Sequence, residues 1–207
     1  MGLPFTFGRW SLYPSIPPGW YDSPMMAKNN LFLIGPMGAG KTTIGRQLAQ
    51  TLKLDFFDSD HELQRRTGVD IPTIFEFEGE AGFRLREKSI IDELTQRVGI
   101  VLATGGGAVL EAENRRNLVS RGTVVFLYCS PEQQYERTLK DKNRPLLQLE
   151  DPLARLKSLM SRREPLYRSL ADLVVSTEHR PMQAVARDIV ARLNKLADGD
   201  ARWREGR

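Results

Sequence analysis

Three observations predict an α/β fold with a parallel sheet covered on both faces. Short apolar runs alternate along the chain with amphipathic stretches of helical period. One such run, a glycine-rich segment and a helical stretch follow one another between Leu31 and Leu52. The apolar runs end in carboxylates or glycines, which a parallel sheet gathers beyond the carboxyl ends of its strands.

Leu31 to Ile34 reads as a buried strand. The segment Gly-Pro-Met-Gly-Ala-Gly-Lys-Thr-Thr follows, and Gly35, Gly40, Lys41 and Thr42 fit the phosphate-loop pattern of Gly, four residues, Gly-Lys-Ser/Thr. Ile44, Leu48 and Leu52 recur every fourth residue, on the inner face of the helix that the loop opens. Asp55 to Asp60 reads as a second strand ending in Asp58 and Asp60. Gly68 and Pro72 interrupt a helical stretch containing Leu63. A longer helix opens at Gly79, with Phe83, Ile90, Ile91, Leu94 and Val98 expected on its buried face. Ile100 to Ala103 is a third strand, running into Thr104-Gly105-Gly106-Gly107. The helix after it reaches Arg121 and is stopped by Gly122 as a C-terminal cap. Val124 to Tyr128 is the fourth strand, and Ser130-Pro131 starts a helix with a capping hydroxyl and a first-turn proline. The polar, aperiodic stretch of residues 140–151 is expected to form a mobile lid. Asp151-Pro152 caps the next helix, with Leu153, Leu156 and Met160 inward. Leu173 to Val175 is the last strand, and a closing helix from Pro181 places Val185, Ile189 and Leu193 on one face.

The 207 residues suit one domain, with 41% hydrophobic and 27% charged residues. The expected boundaries are a disordered or loosely packed extension over 1–27, a domain over 28–197 and a frayed tail over 198–207. The extension holds Pro4, Pro14, Pro17, Pro18 and Pro24 among aromatics without any period, and translation is expected to begin at Met26. A formal charge of +4 is mild and calls for no nucleic acid. No run approaches a membrane span, and residues 1–27 do not read as a secretory signal. The single cysteine, Cys129, excludes an internal disulfide and fits a reducing compartment, so a cytoplasmic location is expected. It closes an apolar run, where a packed thiol is expected rather than a reactive one.

A strand, a glycine-rich turn and a helix start surround one point with backbone N–H groups, and that point binds an anion. Gly35, Gly38 and Gly40 let the backbone curl around phosphate. Lys41 supplies charge to the outer phosphates, and the Thr42 hydroxyl is placed to ligate Mg²⁺. A chance glycine-rich turn is the bland alternative, which the flanking strand and helix argue against. The chain is therefore expected to bind a nucleoside triphosphate.

Asp58 and Asp60 are expected on the same side of the strand end, because alternate residues share a face. Turn formation would explain an isolated Asp-x-Asp as well, but beside the loop these carboxylates suit catalysis. Asp58 suits the metal, and Asp60 suits an attacking hydroxyl. Arg84 and Glu87 are spaced to pair on one helix. They form either a solvated surface pair or an oriented guanidinium that grips a carboxylate or phosphate. Gly105 to Gly107 could donate N–H groups to a substrate hydroxyl, or simply turn the chain. Arg144 in the lid could neutralise phosphate charge. Arg162 and Arg163, read as lying near a helix end, could serve its dipole or an acidic small molecule. His61 and His179 receive no catalytic role.

These segments together resemble the shikimate kinase family. The resemblance rests on Gly-Pro-Met-Gly-Ala-Gly-Lys-Thr-Thr-Ile-Gly, Asp-Ser-Asp, Gly-Glu-x-x-Phe-Arg-x-x-Glu, Thr-Gly-Gly-Gly, Arg-Pro-Leu-Leu and Arg-x-Pro-Leu-Tyr, in that order from about Leu31 to Leu196. It implies a three-layer P-loop kinase fold with a five-stranded parallel sheet, a small substrate-binding helical segment over about 59–88 and a mobile lid. The implied reaction transfers the γ-phosphoryl group of ATP to the 3-hydroxyl of shikimate with Mg²⁺, on the route to chorismate and aromatic amino acids. Carried over, Gly38, Ala39, Gly40, Lys41, Thr42 and Thr43 hold ATP, Thr42 binds Mg²⁺, and Asp58 reaches the metal through water. Asp60, Arg84, Gly106 and Arg163 bind shikimate, and Lys41, Asp60 and Arg144 serve catalysis. Arg144 and Arg180 lie on the ATP side. A monomer is expected, with neither nucleic acid nor membrane as partner. Gluconate kinase shares loop and architecture but would not call for these paired arginines. A GTPase switch would need an Asn-Lys-x-Asp segment, which is missing. A non-catalytic nucleotide-binding module would be expected to have lost Lys41, Asp60 or a substrate arginine.

Overall fold

The computed structural model describes residues 30–138 and 151–205, with side chains as far as Leu196. In chain order the elements are β1 (Leu31–Ile34), α1 (Lys41–Leu52), β2 (Asp55–Asp58), α2 (Ser59–Thr67), α3 (Ile71–Thr95), β3 (Ile100–Ala103), α4 (Ala112–Arg121), β4 (Thr123–Tyr128), α5 (Pro131–Thr138), α6 (Pro152–Leu170), β5 (Leu173–Ser176) and α7 (Met182–Glu205). The strands form a five-stranded sheet in the order β2-β3-β1-β4-β5, and every pairing is parallel.

Alternation along the strands divides the core into two layers. Leu31 and Leu33 of β1, with Val125 and Leu127 of β4, meet Ile44 and Leu48 of α1 and Val185 and Ile189 of α7. Phe32 and Ile34, with Val124 and Phe126, face Leu94 of α3, Leu118 of α4 and Tyr167 of α6 on the other side. All four β1 residues are buried, so this strand is a continuous apolar run rather than an alternating one. Because β3 lies on one side of β1 and β4 on the other, the crevice beyond the carboxyl end of β1 is the place where such sheets bind ligands. The phosphate loop sits there.

Several local expectations need correction. The second strand stops at Asp58, and Ser59 and Asp60 already belong to α2. The Asp58 side chain caps that helix by accepting from the N–H groups of Asp60 and His61, and a capped helix start outcompetes continued strand. Val98 is 72% exposed because α3 ends at Thr95. Gly122 follows α4 in extended rather than left-handed backbone. Its missing side chain instead makes room for the Phe32 ring. Pro165 lies inside α6, which continues to Leu170, so Arg163 is mid-helical and not beside a helix end. The closing helix runs from Met182 to Glu205. Gly79 marks a kink within α3, at φ 67° and ψ −175°. The extension over 1–27 and the lid over 140–150, including Arg144, lie outside the described residues.

Candidate active site

The floor of the site is the turn from β1 into α1. Gly35, Gly38 and Gly40 have φ of 140°, 75° and 86°, values that L side chains rarely adopt. At Gly35 a Cβ would also collide with the Leu127 carbonyl oxygen. No side chain caps α1, so its first N–H groups are left to an anion. Ala39 turns its methyl into the core and can contribute only its backbone. Lys41 curls back, and its Nζ donates to the carbonyls of Gly35 and Pro36 at 2.8 and 2.7 Å. That holds the ammonium at the mouth of the loop. A cavity of about 350 Å³ opens here, lined among others by Gly38, Gly40, Lys41, Thr42 and Thr43.

Thr42 and Asp58 converge from separate elements. The Thr42 hydroxyl donates to Asp58 Oδ2 at 2.7 Å, while Asp58 Oδ1 caps α2. One carboxylate thus fixes the helix that carries Asp60 and presents an oxygen beside the loop. A hydroxyl and a carboxylate oxygen are hard donors that suit Mg²⁺, which keeps several waters and takes its other oxygens from phosphate. Among the described residues no cluster of three or more His, Cys, Asp or Glu could hold a metal by itself. The donor set therefore fits a metal that arrives with a nucleotide.

A second cavity of about 500 Å³ adjoins the first, and Asp60, Arg84, Glu87, Gly106 and Arg163 all line it. Both cavities include Met37, Thr42, Asp58, Asp60 and Gly106 in their walls. The guanidiniums of Arg84 and Arg163, from helices far apart in sequence, thus face one space. Arg84 Nη1 donates to Glu87 Oε2 at 2.5 Å, and Nη2 reaches Glu80 at 3.2 Å. The Glu87 side chain is 1% exposed and that of Arg84 14%, so this is no solvated surface pair. Burial pushes the Glu87 carboxyl up to about 7 against the pull of Arg84, and the neighbouring Asp60 charge adds to the rise. Burial alone would lower Arg84, but Glu87 and Glu80 leave it raised and firmly cationic. Among the described residues Glu87 Oε1 and Arg84 Nε are buried without hydrogen-bond partners, which leaves them available to a polar ligand or a water.

The turn after β3 closes the wall. The Gly105 N–H donates to Ser59 Oγ at 2.9 Å, and a Cβ on Gly105 would collide with the carboxylates of Glu87 and Asp60. The Gly106 carbonyl accepts from Tyr167 and, at 3.4 Å, from Arg163.

Arg137 is a loop contact that sequence reasoning missed. Its Nη1 donates to the Gly38 carbonyl and to Thr177 Oγ1, each at 3.0 Å, and its Nη2 donates to the Thr177 carbonyl at 2.6 Å. The available signal was its place on the helix leaving β4, at the ligand-binding edge of the sheet. The sequence marks Glu87 only as a partner for Arg84, yet Glu87 lines the cavity itself. Arg180 lines neither cavity and pairs with Asp188 at 3.1 Å. Cys129 is buried, and burial raises its thiol, in keeping with a packing role.

The chain is similar to known proteins over most of its length. The shikimate kinase family model matches residues 37–194. A shikimate kinase of Methylococcus capsulatus is 59% identical over 168 residues, covering 81% of this chain and 94% of that one. One from Nitrosococcus oceani is 56% identical over 174 residues, covering 84% and 92%. Among solved structures, the shikimate kinase of Acinetobacter baumannii in complex with shikimate is 50% identical, with a TM-score of 0.79 and coverage of 83% and 98%. A gluconokinase of Sinorhizobium meliloti, 15% identical with a TM-score of 0.52, shares the fold alone. With a phosphate loop, an acidic helix start and two inward arginines around one crevice, and with identity of this extent over more than four fifths of its length, the chain belongs to the shikimate kinase family.

Proposed function

We infer that the chain transfers the γ-phosphoryl group of ATP to the 3-hydroxyl of shikimate. One observation carries the reading: the phosphate cavity and the arginine-lined cavity share Thr42, Asp58, Asp60 and Gly106 in their walls. A donor bound in one space and an acceptor in the other meet without an intermediate carrier. Positioning of this kind, with charge neutralisation, is most of what phosphoryl transfer requires.

In this reading Gly38 to Thr43 cradle the phosphates, with Lys41 on the outer ones. Thr42, and Asp58 through water, would hold Mg²⁺, which when bound neutralises charge on the β- and γ-oxygens. Arg84 and Arg163 take the shikimate carboxylate. Asp60 accepts a hydrogen bond from the 3-hydroxyl and aligns its oxygen with the γ-phosphorus. The new P–O bond forms as the bond to the β–γ bridging oxygen breaks, ADP leaves, and the hydroxyl proton passes to Asp60 or onward to water. Glu87 keeps Arg84 aimed. Arg144 is assigned to the ATP phosphates and Arg180 to the adenine side. A monomer in the cytoplasm completes the proposal. No helix among the described residues is long and apolar enough to cross a membrane.

The test is a coupled ADP-release assay run side by side with shikimate, gluconate and no acceptor. Release that depends on shikimate supports the reading. Release that is equal in all three arms, or greater with gluconate, overturns it.

A further inference from the structure

Besides Arg163, two side chains that the reaction above does not use grip the glycine turn between the two cavities. Ser59, buried at the start of α2, accepts from the Gly105 N–H. From α6 the Tyr167 hydroxyl donates to the Gly106 carbonyl. Tyr167 is completely buried, and its ring stacks on Phe126 of β4 with centroids 5.0 Å apart and planes inclined by 27°. Packing on the sheet therefore fixes where the hydroxyl sits, since a tyrosine has few torsions to set. Burial raises the phenol to about 12, so it remains a donor throughout the working range.

What the hydroxyl fixes follows from peptide geometry. In a trans peptide the carbonyl and the following N–H point in opposite directions. Holding the Gly106 carbonyl toward α6 turns the Gly107 N–H away from it. The Gly105 carbonyl accepts from the Ala108 N–H at 3.1 Å, which sets the Gly106 N–H in the same manner. Among the described residues neither the Gly106 nor the Gly107 N–H donates to a protein group. Gly106 lines both cavities. A rotated turn would aim these N–H groups elsewhere, and would do so on the acceptor side, where Gly105 lies against Asp60 and Glu87 and Gly107 against Arg84.

We propose that Tyr167 is a positioning residue: by pinning the Gly106 carbonyl it aims the unpaired Gly107 N–H, in the wall of the arginine-lined cavity, at the acceptor molecule. The proposal rests on the cavity of Arg84 and Arg163 being the shikimate site. It predicts an effect on one substrate only, whereas a merely structural tyrosine would change stability and leave both Michaelis constants alone.

The full chain and its Tyr167→Phe variant are compared for kcat, for KM of shikimate and of ATP, and for thermal unfolding. The variant keeps the ring and removes only the hydroxyl. The KM for shikimate is expected to rise about five- to tenfold, the range for loss of one neutral hydrogen bond. The KM for ATP should stay within about twofold. An unchanged KM for shikimate, or an equal rise in both constants, overturns the proposal. Ser59→Ala loosens the same turn from its other side and is measured alongside, in case the tyrosine variant does not fold. The same selective rise supports the proposal, and its absence counts against it. A wild-type chain that turns over no shikimate overturns the underlying reading as well, an outcome separable from an active wild type whose variants behave normally.

Discussion

Asp60 and Glu87 stand close together, flanking the Gly105 Cα, yet their surroundings differ. Asp60 is in the first turn of a helix, half-buried, in the wall common to both cavities. Replacing it with Asn keeps the shape and removes the charge that orients the hydroxyl. Turnover should fall about 100-fold or more, the usual scale for a positioned acid–base group, while the affinity for ATP measured by calorimetry stays nearly unchanged. Normal turnover would remove Asp60 from its role. Glu87 is buried, and its folded value of about 7 lies above its ordinary 4.5. The folded state therefore binds this proton more tightly than the unfolded state does. Its contribution favours folding below about pH 4.5 and is lost as pH rises to about 7. Unfolding curves of wild type and Glu87→Gln should accordingly diverge over that window, with the wild type losing stability relative to the variant as pH increases. Parallel curves would mean that Arg84 keeps Glu87 ionised throughout.

At the scale of elements, the site depends on where helices begin and bend. The Asp58 cap converts the end of a strand into the start of a helix, and so delivers Asp60 from a helical turn. The kink at Gly79 lets the first part of α3 bring Ile71 and Phe75 to the cavity, while the second part carries Arg84 and Glu87. Among the described residues nothing lies within 4 Å of a Cβ added to Gly79, so the objection to a side chain there is backbone strain and not space. Gly79→Ala should destabilise the protein by about 1–3 kcal/mol, read as a lower midpoint of thermal unfolding. A midpoint equal to wild type would show that the kink can relax without cost. Both glycine-marked breaks around α3, Gly68 and Gly79, were legible in the sequence, because each is local. The path of the chain on either side of them was not, because it depends on what the two halves pack against.

For the whole molecule, the parallel sheet gathers groups from β1, β2 and β3 at one edge, while α3 and α6 bring in their arginines. Two ligands that bind only the folded chain should each stabilise it by mass action, by about 2.7 kcal/mol at 100 times the dissociation constant. The thermal midpoint should rise with Mg·ADP and separately with shikimate. In Arg84→Ala the shikimate increment should vanish at the same concentration while the nucleotide increment remains. Loss of both would indicate that the variant has disturbed the fold instead of one wall.

The amino-acid sequence by itself determined the five strands, the phosphate loop and the identity of most of the groups that meet there. These signals are contiguous: an apolar run, a glycine-lysine-threonine turn or a helical period is complete within a few residues. Tertiary structure decided that Asp60 belongs to a helix, that Arg163 lies in the middle of one, and that Arg137 braces the loop through Gly38. It also set Tyr167 on the Gly106 carbonyl. The last two contacts span 99 and 61 residues of chain. No local pattern encodes them, because a hydrogen bond between distant segments exists only once the sheet has fixed which helix crosses which strand end.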